Sequence, residues 1–514
     1  MNFVCTRCGR KEAVITRAAH CTCGGLWKLE ANLPAFDLSG VDTHEWSLFR
    51  YRKFMALEDE SWRAVTMGEG MTPVVRLDED VLLKMDYFMP TLSFKDRGAA
   101  VLIAHCKSIG VDQVVQDSSG NAGNAVAAYC AKAGIACEIF VPEGTSPKKI
   151  DMIRAHGAAC TIVPGSRDHC ADVCRAKVEQ EGVYYANHVY NPFFYEGTKT
   201  YIYEVFEQLG RIPANLVIPV GNGTLFLGAI YALEHLQNSG VIDHFPQIIA
   251  LQSQNCDPLL RAAAQGALEP AAVTPTPTIA EGISIGKPMR GEEILRLAKK
   301  HGVRFVHAPE DKILEARAAL ARKGVYCEHT TAANYAAYLE YRRLNGPTPD
   351  TLLTMCGAGL KSGHENAKVQ SLPFQGRWLG EAETERLSSS RVQHRHEVLP
   401  RQRFPAEELQ KQLLVFLRVL DLLAVEAGRR AEGRFGSCVV QQLAQAQQVE
   451  HTRRDARQQL PVIHGLERVA EQKIDQQIFI RHGQLCPERR GRRILMHGGI
   501  QHGLEPLRQV LHIV

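Results

Sequence analysis

VDQVVQDSSGNAGNAVAAYCAKAG, residues 111–134, carries the pattern that decides the fold. VDQVVQ has the β-branched content of a strand, and DSSGNAG has the glycines and hydroxyls of a tight turn. NAVAAYCAKAG (124–134) is an Ala-rich helix closed by Gly134. The same order then recurs. ACEIFVPEG (136–144) reads as strand then turn, KKIDMIRAHG (148–157) as a helix ending at glycine, and ACTIVPG (159–165) as a strand. NLVIPVGNGT (215–224), PQIIALQSQ (246–254) and DTLLTMCGAG (350–359) repeat the strand-then-turn motif. Strands alternating with helices at this spacing predict an α/β protein with mainly parallel sheets covered by helices. In such sheets ligands gather where the strands end and the turns begin.

With 514 residues the chain has room for more than one domain. A hydrophobic fraction of 45%, 23% charged residues and a net charge of +4 are ordinary for a globular protein, so bulk charge points to neither nucleic acid nor membrane. No apolar run approaches the roughly 18 residues that span a bilayer, and MNFVCTRCGR is not a signal peptide. The expected compartment is the cytoplasm, and most of the 15 cysteines read as reduced, packed thiols.

Three zones differ in composition. Residues 1–30 hold Cys5-x-x-Cys8 and then His20-Cys21-Thr22-Cys23-Gly24-Gly25, two short knuckles that suit a structural zinc ribbon. The second knuckle is CxC, so its ligands are either Cys21 and Cys23 or His20 and Cys23. The alternative is a ribbon remnant without metal. Residues 31–370 carry the strand–helix units, with a smaller subdomain expected at about 100–205. Residues 376–514 contain 20 Arg against 2 Lys, 17 Gln, and no Asn or Tyr. EELQKQLLVFLRVLDLLAVEAG (407–428) has the periodicity of an amphipathic helix, but the rest of the tail lacks a clear period. The plainer reading is weakly structured sequence, for instance a reading-frame extension, rather than an oligomerisation or regulatory segment.

Three strand-end turns carry chemistry. Asp117-Ser118-Ser119-Gly120-Asn121-Ala122-Gly123 exposes backbone N–H groups suited to a carboxylate or phosphate, although the same residues also make a well-capped turn. Gly221-Asn222-Gly223-Thr224 matches neither the Walker nor the dinucleotide pattern, but it suits a single phosphate at a helix start. Cys356-Gly357-Ala358-Gly359-Leu360-Lys361 is the third. Upstream of all three stands LSFKDRGAA (92–100), in which Lys95 opens a helix. A lysine is unfavourable at a helix N-terminus, and a partly buried one there gains the depressed pKa that a reactive amine needs. Alone, Lys95 beside Asp96 also fits a surface ion pair.

SFKDRG, SSGNAG, GNGT and CGAGLK in this order resemble the fold type II pyridoxal-phosphate enzymes, and within them the threonine synthase family. GEGMTPVVRL (68–77), NPFFYEGTKT (191–200), EGISIGKP (281–288) and the Cys-rich ribbon add to the resemblance, which covers about residues 1–370. It implies two three-layer αβα domains preceded by the ribbon, a homodimer, and pyridoxal 5'-phosphate joined to Lys95. Phe94 would flank the cofactor, Asn121 would meet its 3'-oxygen, and Gly221, Asn222, Gly223 and Thr224 would cradle its phosphate. Cys356 would face the ring nitrogen, where the family has Ser or Thr. Ser118, Ser119 and Ala122 would loop around the carboxylate of an amino-acid substrate. Cys5, Cys8, Cys21 and Cys23 are the expected metal ligands.

The implied reaction is that of threonine synthase, which turns O-phosphohomoserine into threonine and phosphate by γ-elimination and β-hydration. Two departures bear on it. Phe194 stands where the family carries an arginine associated with the substrate phosphate, leaving Lys199, Arg97 or another cation to replace it. Leu92 stands where the family has glycine. The alternatives are β-replacement or α,β-elimination, as in cysteine or cysteate synthases and serine or threonine dehydratases. A different class is a non-catalytic regulatory protein that binds pyridoxal phosphate or a phosphometabolite.

Overall fold

The computed structural model describes residues 1–57 and 59–361. The expectations for 376–514 lie outside the described residues. Along the chain come strands Asn2–Cys5 (β1), Lys11–Ala13 (β2), Trp27–Glu30 (β3), Val74–Arg76 (β4) and Val81–Lys84 (β5), then helix Lys95–Ser108 (α1). Gln113–Gln116 (β6), Asn121–Ala133 (α2), Ala136–Pro142 (β7), Pro147–Ala155 (α3), Ala159–Val163 (β8), Arg167–Glu181 (α4) and Tyr184–Tyr185 (β9) follow. Next are Phe193–Leu209 (α5), Asn215–Pro219 (β10), Thr224–Asn238 (α6), Gln247–Ser253 (β11), Pro258–Ala264 (α7) and Gly291–Lys300 (α8). Arg304–Ala308 (β12), Ile313–Arg322 (α9), His329–Asn345 (α10) and Thr351–Thr354 (β13) complete the set.

These strands form three sheets. The ribbon is antiparallel, in the order β2-β1-β3. A four-stranded parallel sheet runs β8-β7-β6-β9. A six-stranded sheet runs β12-β11-β10-β13-β5-β4 and is parallel except for the β4–β5 pair. Central parallel strands lie between two helical layers and so are apolar on both faces. Val217, Ile249 and Leu353 pack with Leu320, Ala333 and Ala337 of α9 and α10. Leu216, Ile248 and Leu352 face the opposite way, toward Phe226 and Leu233 of α6. In the smaller sheet, Val115 and Phe140 meet Cys170 and Cys174 of α4, while Ile139 and Val141 meet Ile150 and Ile153 of α3.

Helices α1, α5 and α6 approach each other at glycines. A Cβ on Gly197 would fall 1.9 Å from the Arg97 carbonyl oxygen, and one on Gly98 would fall 2.3 Å from the Phe194 ring. The ribbon is tied into the main core: Phe3 and Trp27 belong to that core, and Phe3 meets Phe193 edge-on at 5.9 Å. No helix among the described residues is long and apolar enough to cross a membrane.

Candidate active site

Lys95 is the first residue of α1, and the chain enters that helix alongside the CGAG turn. Ser93 bridges Gly357, the Phe94 amide donates to the Cys356 carbonyl (3.0 Å), and the Ala358 amide donates to that of Leu92 (3.1 Å). This pairing holds Leu92 at a φ of 61°. A side chain in that left-handed region costs on the order of 1 kcal/mol, which a glycine would not incur. Lys95 Nζ donates to Thr224 Oγ1 (2.8 Å) and lies 4.7 Å from the Phe94 ring centroid and 5.7 Å from that of Phe194. Burial pulls the Lys95 amine down to about 7; Cys356 and Glu328 act against the fall and Arg167 adds to it.

The two glycine turns sit at the carboxyl ends of their strands, as expected of open α/β sheets. Gly221–Gly223 follows β10 and leads into α6, whose first residue is Thr224; Gly223 has a φ of 76°. Among the described residues, no protein acceptor meets the amides of 221–224. A helix start with open amides and a hydroxyl matches what a phosphate requires. Ser118, Ser119 and Gly120 connect β6 to α2, which begins at Asn121 and Ala122. A Cβ on Gly123 would lie 1.8 Å from the Ser118 carbonyl oxygen, so only glycine lets the loop fold back on the helix.

Cys356 follows β13. Its sulfur lies 3.0 Å from Thr331 Oγ1 and 3.7 Å from Glu328 Oε1, and burial with the nearby Glu328 charge pushes the thiol well above its usual range. Cys356 is therefore a neutral thiol. Asn121 Nδ2 donates to Glu328 Oε2 (3.0 Å). Glu328 and Thr331 thus join the residues expected at the site, and sequence reasoning missed both. The available signal was GVYCEHTTAA (324–333), a glycine turn followed by an acidic helix cap and an Ala-rich start.

The residues around Lys95 also settle the roles of its neighbours. Asp96 and Arg97 both point into the core. The Asp96 carboxyl accepts from the Thr91 amide (2.6 Å) and hydroxyl, and burial raises it to about 6. Arg97 makes a bidentate pair with Asp86 (2.9 and 2.6 Å) and bonds Glu204 (2.8 Å) and Thr200 (3.0 Å). Lys199 Nζ meets both oxygens of Glu196, at 3.0 and 2.9 Å. Neither cation named as a replacement for the missing arginine is available, because both are buried against carboxylates. Phe194 is fully buried, edge-on to His188 at 5.8 Å.

In the ribbon the four sulfurs of Cys5, Cys8, Cys21 and Cys23 lie within 4.8 Å of one another. The Cys5–Cys23 and Cys8–Cys21 separations are 3.4 and 3.7 Å, close to the edge of a tetrahedron with arms of about 2.3 Å. The amides of Arg7 and Cys8 both point at Cys5 Sγ (3.4 Å each). His20 stands outside the cluster, its Nδ1 against the Cys21 carbonyl at 2.9 Å. Of His20 and Cys21, it is Cys21 that joins the cluster.

Lys95 with its lowered pKa, the open amides of 221–224 and the Cys356 thiol all lie within one matched segment: residues 65–357 match the family described as pyridoxal-phosphate dependent enzyme. The chain belongs to that family. Among curated proteins it is similar to threonine synthase of Methanocaldococcus jannaschii, with 28% identity over 65% of this chain and 85% of the relative. It is also similar to threonine synthase of Mycobacterium leprae, with 31% identity over 56% of this chain and 81% of the relative. Maize serine racemase shares the fold at a TM-score of 0.51 and 20% identity, over 59% of this chain and 94% of that structure. The chain is thus a pyridoxal-phosphate dependent enzyme.

Proposed function

We propose that Lys95 carries the cofactor and moves the α-proton of an amino acid, and that the enzyme expels a group from the side chain beyond. When bound, pyridoxal phosphate supplies the electron sink that makes that proton acidic. The single observation that carries this reading is the Lys95 amine held at 2.8 Å from Thr224 with its pKa near neutrality, because a proton shuttle works best near the working pH. The amides of Gly221, Asn222 and Gly223, with Thr224, hold the cofactor phosphate. Phe94 and Asn121 flank the ring. Cys356, as a neutral thiol, faces the ring nitrogen with Thr331 behind it. Ser118, Ser119 and Ala122 hold the substrate carboxylate. In this reading the protein is a homodimer, as the resemblance implies, and works in the cytoplasm.

Threonine synthase chemistry on O-phosphohomoserine is the version that the curated relatives support. A second version, α,β-elimination or β-replacement on an amino acid without a phosphate, is favoured by Phe194 beside Lys95 and by the engagement of Arg97 and Lys199 with carboxylates. The test is a parallel assay of the purified enzyme with cofactor. Phosphate release from O-phosphohomoserine is the expected result for the first version, and oxo-acid formation from serine or threonine for the second. Activity on none of these would rule out both the threonine synthase version and α,β-elimination of serine or threonine.

We further propose that Cys5, Cys8, Cys21 and Cys23 hold a structural zinc. Purified protein is expected to contain about one zinc per chain, lost in the double variant Cys5→Ser/Cys23→Ser together with several degrees of Tm. Cofactor absorbance should survive, since the ribbon residues do not touch Lys95. Metal-free protein with an unchanged Tm would contradict the zinc site.

A further inference from the structure

His188 has no part in the site as described so far, yet its position gives it one. It lies in the short connection between β9 and α5, at the carboxyl edge of the small sheet, the same edge from which the Ser118–Ser119 loop springs. The connection is held on both sides of the histidine. Asn187 Nδ2 donates to Asp117 Oδ1 (2.7 Å), while Asn187 Oδ1 accepts from the amides of Val189 (2.8 Å) and Tyr190 (3.2 Å). Asn191 Nδ2 donates to Tyr184 Oη (2.6 Å). The imidazole is thereby directed at two neighbours. Its Nδ1 lies 3.4 Å from Gln116 Nε2, and its ring meets the Phe194 ring at 5.8 Å and 64°. Phe194 cannot swing aside, because its ring fills the space left by the absent side chain of Gly98. The same ring lies 5.7 Å from Lys95 Nζ.

The remaining nitrogen, Nε2, has no protein partner among the described residues, although the residue is only 5% exposed. With no protein partner and not sealed off as the His105 nitrogens are, Nε2 is open to a ligand or water. Burial, with the positive charges of Lys95 and Arg167, drives the imidazole well below its usual pKa, so it is neutral. With Gln116 donating to Nδ1, Nε2 carries the proton. A neutral ring offers one hydrogen bond to an uncharged oxygen; it cannot supply the several charged donors that a phosphate dianion demands.

Resting on the lyase reading above, we propose that His188 is a specificity-determining residue whose Nε2 contacts the side-chain hydroxyl of the substrate against the fixed ring of Phe194, so that the site takes β-hydroxy amino acids. Serine supplies the hydroxyl, alanine lacks it, and O-phosphoserine replaces it with a dianion.

The test is the first spectral change of the cofactor-loaded enzyme on rapid mixing with L-serine, L-alanine or O-phospho-L-serine, which reports binding without turnover. The wild type is expected to bind serine about tenfold more tightly than alanine, the span of one net hydrogen bond, and more tightly than O-phosphoserine. His188→Phe should reduce the serine-to-alanine ratio to about one while leaving alanine binding and the starting spectrum as they were. His188→Asn, which keeps a donor, should restore part of the ratio and serves if the Phe variant does not fold. An unchanged ratio in loaded His188→Phe would overturn the inference, and so would O-phosphoserine binding more tightly than serine in the wild type. If no amino acid alters the spectrum of the loaded wild type, the lyase reading itself fails and takes the inference with it.

Discussion

Lys95→Ala is expected to lose the absorbance band of bound cofactor and to lower turnover by about 10³-fold or more, the scale on which a positioned acid–base group acts. The fold should survive. Among the described residues the lysine makes no ion pair, and its amine is held near 7 chiefly because burial disfavours its charge. The sign of the pH dependence follows. Between pH 7 and 10.5 the unfolded lysine binds a proton that the folded one has given up, so the lysine's contribution to stability becomes more favourable as pH rises through that window. Lys95→Ala lacks this term; its Tm relative to wild type should be highest near pH 6–7 and fall toward pH 10. The rate of cofactor capture by the wild type should climb from pH 6 to 8 with a midpoint near 7 and then level off. A rate still rising at pH 10 would mean an ordinary solvated lysine.

Arg97→Met is expected to cost about 3–5 kcal/mol of stability, the usual consequence of leaving a buried carboxylate without its partner. Arg97 and Lys84 balance Asp86 and Glu204 in a group with no exposed side chain. Burial alone would raise the Glu204 carboxyl, but Arg97 and Lys84 outweigh it and bring the group down to about 2. The stability that Glu204 gives the wild type is thus present above the unfolded carboxyl pKa and lost only as pH falls toward about 2. In Arg97→Met one positive charge faces two carboxylates, so one of them should titrate above its unfolded value. Its penalty is full at pH 8 and shrinks as the group protonates on acidification. Denaturant midpoints at pH 8 and pH 5 check this: the gap to wild type should narrow at pH 5. A gap under 1 kcal/mol at pH 8 would show that the network is dispensable.

Much of this protein was legible from local pattern. Leu216–Ile218 of β10, Ile248–Leu251 of β11 and Leu352–Leu353 of β13 are 0% exposed, and such strands announce themselves as short apolar runs. Lys95 and the turns at 118–122, 221–224 and 356 could be named because each is a compact motif whose residues are adjacent in the chain. For Glu328 and Thr331 the GVYCEHTTAA turn was a weaker local signal, and for His188 there was none. Glu328 gains its meaning from Asn121, 207 positions away, and His188 from Phe194 and Gln116 on different elements. Arg97 shows the same limit from the other side. It reads as a spare cation beside Lys95, but its side chain turns into the core because Asp86 and Glu204 wait there.

The sequence by itself therefore determined the class of fold and the cofactor family, and it offered Lys95 as the candidate amine, since strand period, glycine turns and a helix-opening lysine are properties of a few neighbouring residues. Tertiary structure alone decided which charges are spent in the core, which cysteines gather in the ribbon, and what faces Lys95 across the site. Those depend on burial and on partners brought together from distant segments, and burial is what turns an ordinary amine into one that titrates near 7.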